Sequence, residues 1–152
     1  MRDDLIERLI MHTYENPSFL LKNKTDDEKI IIEGSKLMKK EKLIAVRADT
    51  NTNHFPEHSH DYVEIIYMYK GTKTNIINNE TVVLNKGDIL FMTQNCRQEN
   101  LPSTEQDIAV NFIVLPHFFE KALEMLNSEE SLLHSFIIQC LRGDNGKSSY
   151  LH

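Results

Sequence analysis

The pattern of apolar and polar positions separates a central block of strands from two helical flanks. Between residues 43 and 115 apolar side chains alternate with polar ones, or form short runs rich in β-branched and aromatic residues. Both patterns are typical of strands that bury one or two faces. They predict strands over residues 43–48, 62–69, 74–77, 81–84, 89–92 and 108–115. Six or more short strands joined by turns indicate a β-sandwich or a β-barrel.

Turn residues separate the predicted strands of this block. Asn78-Asn79-Glu80 lies between two of the strands and predicts a tight hairpin, because asparagine tolerates positive φ. Gly87-Asp88 forms a second turn before the strand at 89–92, and Pro116 ends the last strand.

The N-terminal flank has helical spacing. Residues 4–12 predict a short amphipathic helix, and Thr25-Asp26-Asp27-Glu28 has the form of a capping box. The helix that it would begin ends among lysines, where cations suit the C-terminal end of the helix dipole. Its apolar and basic positions are Ile30, Ile31, Leu37, Met38, Lys39, Lys40 and Lys42. We therefore predict a helical segment over residues 1–42.

The C-terminal flank returns to helical spacing after Pro116. One apolar stripe predicts a helix over residues 117–127, and a second predicts a helix from about residue 128 to Leu141. The stripes are Phe118, Phe119, Ala122, Leu123 and Leu126, then Leu132, Leu133, Phe136, Ile137, Cys140 and Leu141. Residues 143–152 have a loop composition and predict a tail without a closing element.

Composition and charge narrow the function classes. The net charge of −6 argues against direct contact with nucleic acid, because phosphate recognition requires basic patches. No apolar run approaches the ~20 residues that span a bilayer, and no signal peptide is recognisable at the N-terminus. Cys96 and Cys140 lie far apart, so we expect two reduced thiols in a cytoplasmic protein.

The strongest chemical signal lies just before and within the strand at 62–69. His58, His60, Tyr62 and Glu64 occupy alternate positions, and alternate residues of one extended segment share a face. Two imidazoles and a carboxylate on one face could bind a divalent metal or a polar ligand. Because an unpaired buried carboxylate is costly, Glu64 also requires a partner: a histidinium, Arg47, Arg97 or a ligand hydroxyl.

These residues carry a resemblance to a known family. The pattern His58-x-His60-x3-Glu64-x6-Gly71 resembles the first cupin motif, and the stretch from Leu84 through Gly87-Asp88 to Met92 resembles the start of the second. The whole stretch, with its closing strand and the two predicted helices that follow, is similar to the N-terminal cupin domain of AraC-family transcription regulators. The resemblance implies a mainly β protein, a cupin-type double-stranded β-barrel (jelly roll) flanked by N-terminal helices and two C-terminal helices.

The resemblance also implies an organisation and partners. Residues 1–42 would be an N-terminal helical segment, 43–115 the barrel, 116–142 a dimer interface between two copies, and 143–152 a tail truncated before a DNA-binding domain. The barrel would bind a small polar effector, such as a sugar-like molecule, through His58, His60, Tyr62, Glu64 and Gln98. DNA would be bound only by helix-turn-helix units absent from this sequence, and no membrane is implied.

One departure from the cupin pattern bears on metal binding. The second motif ordinarily supplies a histidine where Gln98 stands here, and an amide oxygen is a weak ligand for transition metals. His58, His60 and Glu64 remain a three-ligand set for Zn, Ni, Fe or Mn. Two other classes therefore stay open: a small metal-dependent cupin enzyme of the isomerase or dioxygenase type, and a scaffold used only for dimerisation.

Overall fold

The computed structural model describes residues 3–14, 30–37, 41–49, 52–120, Ser135, Ile138 and 150–152. Helix α1 covers Asp3–Tyr14, and a 3-10 helix covers Gly34–Leu37. The strands are β1 (Ile30–Ile32), β2 (Ile44–Asp49), β3 (Phe55–His60), β4 (Val63–Lys70), β5 (Thr72–Ile77), β6 (Glu80–Asn85), β7 (Ile89–Met92), β8 (Gln98–Asn100), β9 (Ile108–Val114) and β10 (Tyr150–Leu151).

Within the described residues these strands form two five-stranded sheets. The first sheet has the order β1-β3-β8-β5-β6, and the second has the order β10-β7-β4-β9-β2. Consecutive strands alternate between the sheets at several points, so that β3 lies in one sheet and β4 in the other. The protein is therefore a jelly-roll barrel, in which the inner faces of two sheets enclose one core.

The barrel interior has an apolar end and a polar end. At the apolar end, side chains from both sheets pack as one buried cluster: Ile66, Met68, Ile77, Val82, Leu84, Leu90, Met92, Cys96 and Ala109. Burial of that many aliphatic groups supplies the main driving force for closing the sheets. At the polar end, β3, β4 and β8 instead place buried His60, Glu64 and Gln98 inside the barrel.

The outer face of the second sheet is also apolar. Val63, Val114 and Phe119 form a second buried cluster there, with Phe91 and Phe112 packed against it. Residues 118–120 are helical, which agrees with the start of the first predicted C-terminal helix. Most of both predicted C-terminal helices lies outside the described residues, where only Ser135 and Ile138 are assigned, both helical.

The predicted central strands are confirmed with shifts of one or two residues at their ends. Strands β2, β4, β5, β6, β7 and β9 lie where the alternation placed them, and α1 matches the predicted first helix. The hairpin between β5 and β6 turns at Asn78 and Asn79, whose φ angles of 49° and 70° are positive as expected. Two short strands, β3 and β8, complete the first sheet.

The predicted helix beginning at Thr25 is wrong over its described part. Ile30–Ile32 form β1, which pairs in parallel with β3 so that Ile32 lies opposite His60. Three successive β-branched residues favour a strand once a partner strand is available. Gly34 then starts the 3-10 helix at a position where a Cβ atom would lie 2.9 Å from Tyr62 Cδ1. Residues 25–29 and 38–40 lie outside the described residues.

The predicted unstructured tail is wrong at its end. Tyr150 and Leu151 form β10, which pairs antiparallel with β7 at one edge of the second sheet. Two residues carry too little periodicity to predict a strand. Their pairing depends on the exposed edge of β7, which is a feature of the folded barrel.

Two glycines give a test of local backbone strain. Gly71 and Gly87 have φ angles of +77° and +94°, but a Cβ at Gly71 would meet Asp107, whose Cα lies 3.0 Å away, whereas a Cβ at Gly87 meets no atom within 4 Å. We expect Gly87→Ala to lower the free energy of unfolding by about 1–2 kcal/mol through positive φ alone. Gly71→Ala adds the steric conflict and should cost about 2–5 kcal/mol. Urea denaturation of the two variants measures the difference, and equal losses would contradict the packing described at Gly71.

Candidate functional site

The two histidines and Glu64 meet across the barrel and do not line one strand. Strand β3 ends at His60, and the chain turns a corner at Asp61 and Tyr62 before β4 begins in the other sheet. The corner is held by Gly34, whose backbone N–H donates to Asp61 Oδ1 at 2.7 Å. The expectation of a single extended face was therefore wrong. The groups nevertheless converge, with His60 Nε2 3.4 Å from Glu64 Oε2.

Glu64 lies at the centre of the polar end and is held by two amides from different sheets. Gln98 Nε2 on β8 donates to Oε2 at 2.6 Å, and Asn111 Nδ2 on β9 donates to Oε1 at 3.2 Å. Neither predicted arginine forms this contact. Burial raises the pKa of Glu64 above its ordinary value, and the hydrogen bond from Gln98 acts in the opposite direction.

The amide network continues from Gln98 to β5. Asn75 Nδ2 donates to Gln98 Oε1 at 3.5 Å, and both side chains are buried. In the sheet, Gln98 lies opposite His58 on one side and Ile77 on the other. Gln98 therefore occupies the place expected from the sequence, but it acts as a hydrogen-bond link between the two sheets.

Both histidines are oriented by backbone carbonyls. His58 Nδ1 lies 2.8 Å from the Pro56 carbonyl, and His60 Nδ1 lies 2.5 Å from the Tyr62 carbonyl. Since a carbonyl only accepts, each Nδ1 carries the proton and each Nε2 of the neutral ring is an acceptor. Burial lowers the pKa of both rings, that of His60 to about 4. Both imidazoles are therefore neutral near pH 7.

Tyr62 positions His60 by contact between the rings. The two rings stack with centroids 4.4 Å apart and an interplanar angle of 20°. The Tyr62 ring also packs against Gly34, which explains why that position has no room for a Cβ atom. Burial raises the pKa of the Tyr62 phenol well above its ordinary value, so it stays protonated. Tyr62 thus belongs to the wall of the site.

Several buried acceptors at this end lack a hydrogen bond. Within the described part of the chain these include His60 Nε2, Asn75 Oδ1, Asn100 Oδ1 and Asn111 Oδ1. Asn100 lies opposite Asn75 in the β5–β8 pair and two residues beyond Gln98, so it faces the same side of the sheet. An unsatisfied buried acceptor costs about 1–3 kcal/mol, and native proteins carry few of them. Such a group within a network is a feature of sites that bind a further molecule.

The described side chains do not fit a cupin metal centre as they stand. The two Nε2 lone pairs are suitable ligands, and an Nδ1 bonded to a carbonyl is the usual support for a metal-binding imidazole. Both Glu64 oxygens, however, already accept amide hydrogens, and one of those amides stands where the cupin pattern has a histidine. Among the described residues no group of three His, Cys, Asp or Glu side chains is placed to hold an ion.

Two members of the network were not identified from sequence. Asn75 and Asn111 both lie in the middle of strands and have inward-facing side chains. Asn111 interrupts the apolar run from Ile108 to Leu115, and an amide at such a position is a recognisable signal. Its neighbours on β9 and their alternation would have placed it on the inner face.

The fold and the site together define a cupin-type ligand-binding barrel with a polar interior end. The chain belongs to the family described as the AraC-like ligand binding domain, whose model matches residues 42–137. Comparison with curated proteins gave no match. In the part of the chain that is described, no helix is long and apolar enough to cross a membrane.

Solved structures with a similar fold have low sequence identity. They include protein NMB1881 from Neisseria meningitidis (8% identity, TM-score 0.43, covering 51% of this chain and 78% of that one). KdgF from Halomonas sp. is 12% identical with a TM-score of 0.43, covering 47% and 69%. The DMSP lyase DddQ from Ruegeria pomeroyi is 17% identical with a TM-score of 0.41, covering 47% of this chain and only 38% of the lyase. Likenesses at this level carry no information on function.

The buried His60 predicts a pH dependence of stability. Its pKa falls from 6.5 to about 4 on folding, so its contribution is complete above pH 6.5 and is lost as pH falls toward 4. We expect the loss to reach about 3 kcal/mol and to be absent from His60→Gln. The raised pKa of Glu64 acts in the opposite sense, with stability lost as pH rises above 4.5. Urea denaturation at several pH values, compared between variant and wild type, isolates the part due to His60.

The control for this experiment is the same substitution at His54. That ring is half exposed and pairs with Glu99 outside the barrel, at 2.6 Å. An equal change of pH slope in His54→Gln and His60→Gln would contradict the assignment to the buried ring.

Proposed function

We propose that this chain is the effector-binding and dimerisation domain of an AraC-type transcription regulator, without enzymatic activity. The observation that carries the proposal is a buried polar network, inside a barrel of this family, that leaves acceptors without partners. A barrel used only as a scaffold is more stable with an apolar interior, because buried polar groups without partners are costly. A small polar effector, such as a sugar-like molecule, would complete the network.

The proposed ligand site consists of the residues that converge at the polar end of the barrel. His58, His60 and Glu64 would contact the effector, Gln98 would hold Glu64, and Tyr62 would hold His60. DNA binding would belong to helix-turn-helix units beyond His152, and the protein would act in the cytoplasm. Effector binding would shift the population of arrangements between the two parts, to the extent that the arrangements differ in affinity for the effector.

Dimerisation through the C-terminal helices is a separate part of the proposal. It rests on the apolar stripe over residues 132–141, which is additional to the Phe119 contact that covers the second sheet. We expect sedimentation equilibrium to give a dimer, and Phe136→Glu to convert it to a monomer because a charge is costly in an apolar interface. Val83→Glu, at an exposed position on β6 outside the C-terminal flank, is the control. A monomeric wild type, or equal effects of both variants, would contradict this use of the last helix.

Ligand binding can be tested by a thermal-shift screen of small metabolites. A ligand present at about 100 times its Kd stabilises the folded state by about 3 kcal/mol, which raises the Tm by about 5–10 °C for a chain of this size. We expect the shift to disappear in Glu64→Ala and to persist in Glu99→Ala, which removes a carboxylate outside the barrel.

Two results would contradict the proposal. The first is the absence of stabilisation by any class of metabolite. The second is stoichiometric Fe, Mn, Ni or Zn in the purified protein that is lost in His60→Ala. That result would favour the rival class of metal-dependent cupin enzyme.

A further inference from the structure

Three amides at the polar end are oriented around one carboxyl group. Glu64 accepts hydrogen bonds from both of its neighbours, so Gln98 and Asn111 each turn an NH₂ group toward it. Gln98 therefore turns its Oε1 atom toward Asn75, and Asn75 donates a hydrogen bond to it from its NH₂ group. The Oδ1 atoms of Asn75 and Asn111 are left without donors as a consequence.

Among the described residues, the buried side-chain atoms that have no hydrogen bond at this end are all acceptors. His60 Nε2 and Asn75 Oδ1 belong to side chains with no exposed surface, and the Oδ1 atoms of Asn100 and Asn111 are also buried. The amide nitrogens of Gln98, Asn111 and Asn75 each already donate one hydrogen bond within the network. The one buried ammonium of the described interior, Lys73, is paired with Asp49.

Three kinds of ligand head group can be compared against this arrangement. A carboxylate or phosphate has only acceptors, and would meet the free acceptors and the carboxyl group of Glu64. A hydroxyl supplies one donor but brings two lone pairs that need donors of their own. An ammonium group supplies three donors and no acceptor, and its charge would favour the ionised form of the Glu64 carboxyl group. Of the three, the ammonium group complements the free acceptors best.

We infer that the polar end of the barrel binds a small organic amine through its ammonium group, seated between Glu64, His60 and Asn75. The inference rests on the proposed function and specifies the chemical class of the effector. The apolar cluster that includes Ile66 and Ile77 adjoins this position, so the carbon skeleton of the amine would contact aliphatic side chains. Recognition would therefore combine a charge-assisted contact at one end with apolar contact at the other.

Calorimetric titration at pH 7 with probes of one carbon skeleton tests this inference. The probes are butylamine and putrescine as amines, butanol and butanediol as alcohols, and succinate as an anion, with glucose as a sugar. We expect butylamine to bind about tenfold to a hundredfold more tightly than butanol, because the hydrogen bonds are charge-assisted, and more tightly than putrescine, whose second charge would lie among aliphatic side chains. Succinate should show no binding.

Three variants locate the contact. Glu64→Gln removes the charge and should weaken amine binding at least about tenfold. Asn75→Val removes one free acceptor and suits a strand, so it should weaken amine binding. Glu99→Gln makes the same chemical change on the outer face of β8 and should bind as the wild type does. Circular dichroism and the Tm of each variant verify folding.

The outcomes separate this inference from the proposed function. If sugars or alcohols bind in preference to amines, and Glu64→Gln or Asn75→Val abolishes that binding, the amine inference is overturned while the effector site stands. If no probe and no metabolite of any class binds, both are overturned. Equal affinity of the amines for Glu64→Gln and Glu99→Gln would also overturn the inference, because binding would then lie outside the barrel.

Discussion

The contact between Glu64 and the amides of Gln98 and Asn111 is the interaction on which the polar half of the barrel depends. It joins β8 of the first sheet to β4 and β9 of the second, so it acts as a link between sheets as well as a feature of the site. It is also directional, because a carboxylate imposes one orientation on each amide that it accepts from. These amide orientations leave the oxygens of Asn75 and Asn111 without hydrogen bonds.

The apolar end of the barrel interior contributes stability, and the polar end carries the candidate binding site. The aliphatic cluster around Met68 and Leu84 excludes water and supplies most of the favourable free energy of folding. Against this, the polar end buries a carboxylate and two neutral imidazoles, which is unfavourable unless each is hydrogen-bonded. Backbone carbonyls meet this need for His58 and His60, and side-chain amides meet it for Glu64. The groups of the network form hydrogen bonds to the surrounding protein. The acceptor atoms that face the barrel interior have none.

The extent to which sequence predicted this structure depends on how local each element is. Strands such as β5, β6 and β9 carry their own alternation and turn residues, and their positions were predictable for that reason. The position of strand β1 was not predictable, because three isoleucines after a capping box suit a helix equally well. The strand is favoured by parallel pairing with β3, some 28 residues away (Ile30 to His58). The site residues His58, His60, Glu64 and Gln98 were identifiable by type and spacing. Their geometry was not, because the corner at Asp61 depends on Gly34, which is distant in the chain.

The free oxygen of Asn75 has a consequence for how such a domain responds to selection. An unsatisfied buried acceptor lowers the stability of the ligand-free barrel, so replacements that remove it together with its hydrogen-bond partners would raise the melting temperature. A laboratory evolution experiment that rewards heat resistance alone would therefore favour aliphatic residues in place of the whole network, because loss of Asn75 or Asn111 alone leaves an oxygen of Gln98 or Glu64 without its donor. The selected variants would be stable but would no longer bind the effector. An assay that measured only soluble yield would not detect this loss of binding. Stabilisation of this domain without loss of sensing has to be sought at its surface and in its loops.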